Sequence, residues 1–377
     1  MQHSQIARLT RKMKKVGIVV GTRPNFIKIS QFEKEFEKYP DQFEYKLIHT
    51  GQHFDDAMSK VFFRQLELKE PDVFLNIQRK KPAWQIGEII KSLSDFFTAW
   101  TPDLLFVVGD VNSTLAAAIT AQKEGIKIAH LESGLRSGDL EMPEEINRIL
   151  TDQITDYFFV TEQSGLDNLL TEGKIKDKIF FVGNTMIDTL VAFDQSIGQS
   201  PILNDLGIEP QQFVLMTMHR PSNVDNKVGL DRIFELMEYL DPKIKIVFPM
   251  HPRTRQRIAS FGLEDRLDNL KQLIITPPMD YFAFQRLIKD CKFVLTDSGG
   301  IQEETTFRRV PCLTLRNNTE RPSTIQVGTN ILLDTDIDSI KANMDNIFSG
   351  SFKKGEIPPL WDGKTTERIV DLLSELL

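Results

Sequence analysis

The 377-residue sequence has little of what marks membrane, nucleic-acid-binding or disulfide-stabilised proteins. No apolar run approaches the roughly eighteen residues that a membrane span needs, and no apolar segment follows the basic start as in a secretion signal. The formal net charge is −7, whereas binding to nucleic acid requires a basic face. The only two cysteines, Cys291 and Cys312, lie in apolar, strand-like contexts, which predicts reduced core residues. We therefore expect a cytoplasmic protein without a metal and without nucleic-acid or membrane partners.

What is present is a regular alternation of short apolar runs with segments of helical periodicity. The apolar content of 41% and charged content of 26% are those of a globular protein. The strand candidates are 15–20, 45–49, 104–109, 127–131, 157–161 and 178–182 in the first half, and 213–218, 244–250, 272–276, 292–296, 311–315 and 330–333 in the second. Continuous apolar strands indicate parallel sheets covered by helices on both faces. The sequence therefore predicts an α/β fold with two Rossmann-like domains.

The length also favours two domains, because a single core seldom grows this large. The alternation is interrupted by polar and turn residues at 193–207. We predict an N-terminal domain over 14–192 and a C-terminal domain over 200–362. The amphipathic segment 365–377 is predicted to be a helix that joins the first domain.

Charged side chains gather where strands of the first half end, in the stretches GTRPNFIK (21–28), GDVNST (109–114) and HLESGLRSGDLEMPEEINR (130–148). In open α/β sheets, ligands bind beyond the carboxyl ends of the strands. Pro24 suits the first turn of a helix, and Arg23 and Lys28 flank it. Acidic stretches are usually solvated faces, so the third stretch alone would carry little weight.

The second half repeats the pattern in HRPSN (219–223), HPRTR (251–255), DSGGIQEE (297–304) and RNNTERP (316–322). The "SGG" that opens a helix is a fair anion cradle of backbone N–H groups, although a lone "SGG" is usually just a turn. Five of the six histidines stand at or just past strand ends, namely His49, His53, His130, His219 and His251. Charged residues at strand ends in both halves favour a cleft between two facing domains.

Taken together, six of these stretches resemble the UDP-N-acetylglucosamine 2-epimerase family, in particular its non-hydrolysing bacterial members. The stretches are GTRPNFIK, GDVNST, HLESGLRSGDLEMPEEINR, MHRPSN, TDSGGIQEE and RNNTERP, in the family's order over about residues 14 to 335. The resemblance implies a GT-B-like fold, a homodimer, a UDP-sugar substrate and inversion at C2 of the sugar without a cofactor. The family reaction eliminates UDP across C1–C2 to give 2-acetamidoglucal and then adds UDP back, which interconverts UDP-GlcNAc and UDP-ManNAc.

The resemblance carries catalytic roles onto Asp110, Glu132, Glu144 and His219. The three carboxylates would move protons around C2, and His219 would contact the diphosphate and stabilise or protonate the leaving group. The acidic stretch 130–148 would then be the proton-handling side of the site. The competing interpretation of Glu144 is charge balance at a helix N-terminus.

The implied substrate and UDP contacts are Arg23, Lys28, Gln52, His53, Arg148, Phe284, Ser298, Gly299, Gly300, Glu304 and Arg321. Arg23 and Lys28 would face the phosphates or the sugar. The "SGG" turn would bind the diphosphate, and Glu304 would bind the ribose hydroxyls. Three assignments leave alternatives open: Arg148 orders the "PEE" loop or contacts sugar, Phe284 faces uracil or lies in the core, and Arg321 binds phosphate or shapes the pocket through a salt bridge.

Gln52 and His53 would touch the sugar or a second, allosteric nucleotide-sugar site. Arg220 and His251 belong to the usual surroundings of that second site.

The sequence departs from the family pattern near these positions. Asn25 replaces the usual glutamate after "GTRP", and Pro221 and Ser222 replace an arginine and a glutamate. The histidine stretch that follows the predicted strand 244–250 reads HPRTR. The segment before "PEE" is also two residues shorter. These changes bear on sugar preference and regulation more than on the reaction type. A hydrolysing epimerase that releases ManNAc, a GT-B glycosyltransferase and a nucleotide-sugar-binding module are the alternatives.

Overall fold

The computed structural model describes residues 13–51, 56–78 and 80–377. They form two compact units. The first unit comprises the residues up to Leu135, Leu140–Thr189 and Asp362–Leu377, and the second comprises Arg136–Asp139 and Leu190–Trp361.

The first unit contains a parallel sheet of seven strands. They are β1 (Lys14–Val20), β2 (Phe43–His49), β3 (Val73–Phe74), β4 (Leu104–Val108), β5 (Lys127–Leu131), β6 (Tyr157–Val160) and β7 (Ile179–Phe181). Their order is β3-β2-β1-β4-β5-β6-β7, and Val16 of β1 pairs with both Tyr45 and Leu104. All six strands predicted in this half are confirmed. The sequence did not predict β3, an edge strand of two residues.

Helices connect these strands: α1 (Arg23–Ile29), α2 (Phe32–Phe36), α3 (Asp56–Gln65), α4 (Pro82–Ala99), α5 (Asn112–Lys123), α6 (Pro143–Ile154), α7 (Gln163–Thr171), a 3₁₀ turn (Lys176–Lys178) and α8 (Thr185–Ala192). Pro24 lies in the first turn of α1, as predicted. Helix α5 presents Ala116, Ala117 and Ala118 to the core, where each is fully buried. Side chains this small let the helix lie close to the sheet on which the site residues depend.

The second unit contains a parallel sheet of six strands. They are β8 (Phe213–Thr217), β9 (Lys245–Pro249), β10 (Leu273–Thr276), β11 (Val294–Thr296), β12 (Cys312–Thr314) and β13 (Asn330–Leu332), in the order β10-β9-β8-β11-β12-β13. All six predicted strands of this half are confirmed. Apolar clusters cover the sheet, one including Phe234 and Phe248 and another including Leu287 and Cys312. Cys291 and Cys312 are free thiols buried in the core, as expected.

The helices of the second unit are α9 (Asp194–Gly198), α10 (Ile202–Asp205), α11 (Pro221–Val224), α12 (Lys227–Leu240), α13 (Pro252–Ser260), α14 (Glu264–Asp268), α15 (Tyr281–Asp290), α16 (Gly299–Arg308), α17 (Ser323–Gln326) and α18 (Ile337–Phe348). In each sheet the first strand lies between the second and the fourth. This is the strand order of a Rossmann fold, with a switch point beside that first strand.

The chain ends in helix α19 (Thr365–Leu376), which belongs to the first unit. Asp188 of α8 anchors its start: the carboxylate accepts hydrogen bonds from the backbone N–H of Thr365 at 3.0 Å and of Thr366 at 2.6 Å, and from the Thr366 hydroxyl at 2.7 Å. A carboxylate at a helix N-terminus satisfies donors that have no partner within the helix. Over the described ranges, every helix is too short or too polar to cross a membrane.

Candidate active site

Asp110 follows β4 and is held by two residues of α6. The Arg148 guanidinium donates to the Asp110 carboxylate at 2.8 Å, and the Asn147 amide donates to the Asp110 carbonyl at 2.9 Å. Arg148 is only 2% exposed, while about a quarter of the Asp110 side chain is exposed. Arg148 also pairs with Glu145. Helix α6 therefore fixes the position of Asp110 and leaves part of its carboxylate accessible.

Glu132 follows β5 on the adjacent strand and is almost completely buried. Its backbone lies in the left-handed region, with φ of 69°, which an ordinary side chain adopts only at a cost of about 1 kcal/mol or more. One carboxylate oxygen pairs with Lys28 of α1, which is also buried. The other, Oε1, has no hydrogen-bond partner among the described residues. A strained backbone and a buried oxygen without a partner are features that cluster at functional sites.

Gly109 lets these side chains converge. Its φ is 66°, and a Cβ at this position would lie 3.1 Å from Lys28 Nζ and 3.5 Å from Glu132 Oε2. A larger residue between β4 and Asp110 would therefore be strained in this conformation and would crowd the Lys28 ammonium. The structure thus brings together Lys28, Asp110, Glu132 and Arg148, four of the residues proposed from sequence.

Asn25, which replaces the glutamate of the family pattern, braces the turn after β1. Its side-chain oxygen accepts hydrogen bonds from the backbone N–H groups of Gly21 and Thr22, and its NH₂ donates to the Val108 carbonyl of β4 at 3.2 Å. Asn25 is 2% exposed. The substitution therefore ties the ends of β1 and β4 together without adding a charge.

His130 of β5 and Asp152 of α6 form a fully buried pair beneath the same strand ends. The His130 ring lies 2.6 Å from the Asp152 carboxylate through Nδ1 and 2.8 Å from the Gly109 carbonyl through Nε2. The second Asp152 oxygen accepts from the backbone N–H of Gly134 at 3.0 Å. The pair links the turns that carry Asp110 and Glu132.

The "PEE" stretch opens α6 and places its two glutamates differently. Glu145 is buried and pairs with Arg148, whereas Glu144 is exposed in the first turn. Arg23 is partly exposed at the first position of α1, and the predicted contacts Gln52 and His53 lie outside the described residues. His49 stacks on Phe26 and Phe74, and burial lowers its pKa to about 4, so it is a neutral core residue.

In the second unit, His219 follows β8 and is oriented by a buried aspartate that we did not identify from sequence. Asp297 Oδ1 lies 2.9 Å from His219 Nδ1, and the same carboxylate accepts from the backbone N–H of His219 and of Arg220. Burial alone would raise the pKa of Asp297, but the His219 ring and these donors outweigh it and hold the pKa below its ordinary value. Asp297 directly precedes the "SGG" stretch that the sequence predicts as an anion cradle.

Helix α16 begins at Gly299, with Ser298 as its N-cap and Gly300 as the second residue, and the three are partly exposed. Two arginines converge here: a Cβ on Gly299 would lie 3.1 Å from Arg321 Nη1 and 3.6 Å from Arg316 Nη1. Arg316 is 6% exposed, and its Nη1 has no hydrogen-bond partner in the described part of the chain. A helix N-terminus beside a buried guanidinium with a spare donor is suited to bind an anion.

Arg321 is engaged in a buried ion network, a contact of the kind that the pocket-shaping interpretation requires. It pairs with Glu303 at 2.7 Å and with Glu320, which in turn lies 3.1 Å from Arg316. The network holds both arginines in place beside Gly299. Arg316 lies in the predicted stretch RNNTERP, but nothing in the sequence distinguishes its role from that of Arg321.

Glu304 and Phe284 lie on neighbouring helices, α16 and α15. Glu304 is 5% exposed, and burial raises its pKa to about 7 against the opposing effect of Gln285 and Arg308. Phe284 is partly buried and packs against the apolar cluster that includes Leu287. Glu304 is thus a carboxyl group whose charge changes near neutral pH.

The two residues assigned to a regulatory site have local partners. The Arg220 guanidinium donates to the Asp297 carbonyl at 2.9 Å. The His251 ring lies 6.4 Å from that of His219, and its Nδ1 accepts from the backbone N–H of Arg253. Burial, His219 and Arg253 lower the pKa of His251. The Arg253 side chain pairs with Asp225. Across the described ranges, no three His, Cys, Asp or Glu side chains are grouped so as to hold a metal ion.

The fold and these clusters define a class: an α/β protein of two Rossmann-like units, one with carboxylates at the ends of adjacent strands and one with a helix N-terminus beside two arginines. The family model for UDP-N-acetylglucosamine 2-epimerase matches residues 34–374. The chain belongs to the UDP-N-acetylglucosamine 2-epimerase family, and the GT-B-like fold class implied by its sequence is confirmed.

Individual relatives cover nearly the whole chain. The chain is 40% identical to the UDP-N-acetylglucosamine 2-epimerase of Methanocaldococcus jannaschii, over 96% of this chain and 99% of that protein. It is 36% identical to the UDP-2,3-diacetamido-2,3-dideoxy-D-glucuronate 2-epimerase of Pseudomonas aeruginosa, over 96% of this chain and 100% of that protein. A crystal structure of the M. jannaschii enzyme in complex with UDP-GlcNAc and UDP superposes with a TM-score of 0.87 at 38% identity, covering 96% of this chain and 99% of that chain.

Proposed function

We propose that this protein is a non-hydrolysing UDP-N-acetylglucosamine 2-epimerase that interconverts UDP-GlcNAc and UDP-ManNAc. The observation that carries the proposal is the placement of Asp110 and Glu132 at the ends of adjacent strands, each next to a buried cation. Family membership and the UDP-GlcNAc found in the M. jannaschii structure support it. The first unit would handle the sugar and its C2 proton, and the second would bind UDP.

In the forward direction, a carboxylate removes the proton from C2 while the C1–O bond breaks. The electron pair of the C–H bond forms the C1=C2 double bond, and that of the C–O bond leaves with the β-phosphate of UDP. Glu132 is our candidate for the base, because Oε1 has no partner among the described residues and Lys28 holds the other oxygen. Asp110 and Glu144 would deliver or accept the proton on the opposite face, and the return of UDP to C1 completes the inversion.

Lys28 and Arg148 also keep positive charge beside the carboxylates. A carbon-bound proton is a poor acid, so the base must be ionised and positioned before the substrate arrives. The Lys28 ammonium and the Arg148 guanidinium each contact one of the two carboxylates and hold it in position. We propose that Lys28 acts chiefly through Glu132 and Arg148 through Asp110, and that Arg23 and the sugar-facing side of α1 contact the substrate.

The second unit would hold UDP. The N–H groups at the start of α16, Ser298 to Gly300, and the spare Arg316 donor would take the diphosphate. The Glu304 carboxylate would accept from both ribose hydroxyls, Phe284 would lie against uracil, and Arg321 would shape the pocket. His219, half-exposed beside Asp297, would stabilise or protonate the departing phosphate.

The decisive assay is incubation with UDP-GlcNAc in deuterated water, followed by proton NMR. We expect UDP-ManNAc with deuterium at C2, because the carboxyl group that delivers a proton to the opposite face of C2 exchanges that proton with solvent. Absence of exchange at C2 would contradict the proposal, and accumulation of free ManNAc with UDP would identify the hydrolysing reaction. Transfer of sugar to an added acceptor without C2 exchange would identify a glycosyltransferase.

A residue test uses Glu132→Gln, which keeps the shape of the side chain and removes the charge. We expect turnover to fall by about three orders of magnitude or more while UDP binding is retained. The matched control is Glu141→Gln, an exposed glutamate of the same acidic stretch. Unchanged turnover in Glu132→Gln would contradict the role of this residue.

The sugar itself needs a direct comparison, because the P. aeruginosa relative is named for a diacetamido-glucuronate substrate. We expect UDP-GlcNAc to be preferred over UDP-2,3-diacetamido-2,3-dideoxy-glucuronate when the two are compared by kcat/KM. We also propose a cytoplasmic homodimer that supplies a nucleotide sugar for cell-surface polysaccharide. Sedimentation equilibrium tests the dimer.

A further inference from the structure

The Asp297–His219 couple is built like the orienting pair of a general acid. Asp297 is fully buried, whereas the His219 side chain is 46% exposed, so one partner is fixed and the other faces outward. The carboxylate is held by the backbone N–H of His219 at 3.0 Å, that of Arg220 at 2.8 Å and the Asn223 amide at 3.1 Å. These donors fix the carboxylate independently of the ring.

The contacts decide which ring nitrogen carries the proton. Asp297 accepts from two backbone N–H groups and has a lowered pKa, so it is an ionised acceptor. Its partner Nδ1, 2.9 Å away, must then be the donor. A neutral His219 held this way carries its proton on Nδ1 and leaves Nε2 as the lone-pair nitrogen. Free histidine prefers the opposite tautomer, so the assignment is testable.

We propose that Asp297 is a positioning residue that fixes the tautomer and the direction of His219, so that Nε2 is the atom that exchanges a proton with the β-phosphate oxygen of UDP. This rests on the proposed function. On departure of UDP, the Nε2–H of the protonated ring donates to the phosphate oxygen, and the neutral ring keeps its Nδ1–H on Asp297. On return of UDP, Nε2 takes the proton back, so the cycle is balanced. The general principle is that of a carboxylate that orients a catalytic imidazole.

The tautomer can be read in the wild-type protein by ¹⁵N NMR with histidine-selective labelling, with His219 assigned by its loss in His219→Gln. We expect, at alkaline pH, a protonated-type signal for Nδ1 and an unprotonated-type signal for Nε2. The reverse tautomer would overturn the proposal. Because this measurement needs no substrate and no folded Asp297 variant, it decides the point even if the variant fails to fold or the proposed reaction is absent.

The functional consequence is measured with Asp297→Asn in the C2 exchange assay. We expect kcat to fall by about 100-fold or more with a change of at most about 3-fold in KM. The amide oxygen of Asn would accept from the backbone N–H groups of His219 and Arg220, so its NH₂ would face the ring and make Nδ1 the acceptor. The double variant with His219→Gln should be no more than about 3-fold slower than His219→Gln alone, because residues that act as a unit are not additive. Losses that multiply would overturn the proposal.

The matched control is Asn223→Ala. It removes one donor to the same carboxylate and a bond to the Leu315 carbonyl at 3.3 Å, but leaves the ring contact in place. We expect the His219 tautomer and kcat to stay within about 3-fold of wild type. A loss equal to that of Asp297→Asn would assign Asp297 to loop structure alone and overturn the proposal. If wild-type enzyme shows no C2 exchange, the proposed reaction fails, while the NMR result still reports on Asp297.

Discussion

Replacing Lys28 by methionine should destabilise the first unit far more than its size suggests. Lys28 and Glu132 are 7% and 3% exposed. The free Oε1 of Glu132 has no other partner among the described residues to replace the lost ammonium. Removing one partner of a buried ion pair costs about 3–5 kcal/mol, because the remaining charge stays buried without compensation. We expect that cost for Lys28→Met.

For a unit of this size, a change of about 1 kcal/mol in the free energy of unfolding shifts Tm by roughly 2–4 °C. The first-unit transition should therefore fall by roughly 6–20 °C in thermal unfolding without nucleotide, and its urea midpoint should fall in parallel. Adding Glu132→Gln removes the uncompensated charge, so the double variant should recover about 2 kcal/mol of the loss.

The control is Lys127→Met in the same unit. Lys127 lies 2.9 Å from Asp156, but its side chain is 56% exposed, and an exposed pair is worth well under about 1 kcal/mol. If Lys28→Met and Lys127→Met shift the transition equally, or if the losses of Lys28→Met and Glu132→Gln simply add, then the buried pair is not coupled as we describe.

Three further predictions concern single side chains. The pKa of about 7 for Glu304 means that the folded chain keeps a proton which the unfolded chain loses above its pKa of 4.5; the contribution of Glu304 to stability should therefore fall between about pH 4.5 and 7 and level off above, and Glu304→Gln should remove this slope and gain up to about 3 kcal/mol in urea unfolding at pH 8. Asp188→Ala should cost about 2 kcal/mol and make the segment from Thr365 sensitive to limited proteolysis, since three hydrogen bonds at the start of α19 are lost; an unchanged cleavage rate would contradict this. Arg316→Gln should weaken UDP about 10-fold in calorimetry but leave uridine unaffected, because uridine lacks the phosphates; an equal loss for both would assign Arg316 to folding alone.

Much of the fold could be predicted because parallel strands carry a strong local signal. The twelve predicted runs all correspond to observed strands, since buried β-branched and aromatic residues have few alternatives to a strand covered on both faces. Strand β3 was missed because two residues, Val73 and Phe74, cannot show a pattern. It exists through pairing with β2, which is a tertiary effect.

The candidate site was only partly predictable. The positions of Asp110 and Glu132 follow from strand ends, but their cations do not: Lys28 is separated from Glu132 by more than a hundred residues and Arg148 from Asp110 by 38. Asp297, Asn147 and Arg316 were missed as individual site residues, because their importance lies in which atom each one faces. Residue type and spacing do not encode that information; packing does.

The left-handed backbone of Glu132 has a consequence for laboratory selection. Glycine adopts this conformation freely, so Glu132→Gly combined with Lys28→Met removes both the backbone penalty and the buried charge pair. We expect this double variant to be more stable than Lys28→Met alone and to accumulate better in cells, yet to be inactive. A library of variants at position 132 that is selected for protein abundance would therefore favour glycine. The same library selected for growth that depends on the enzyme's product would favour glutamate.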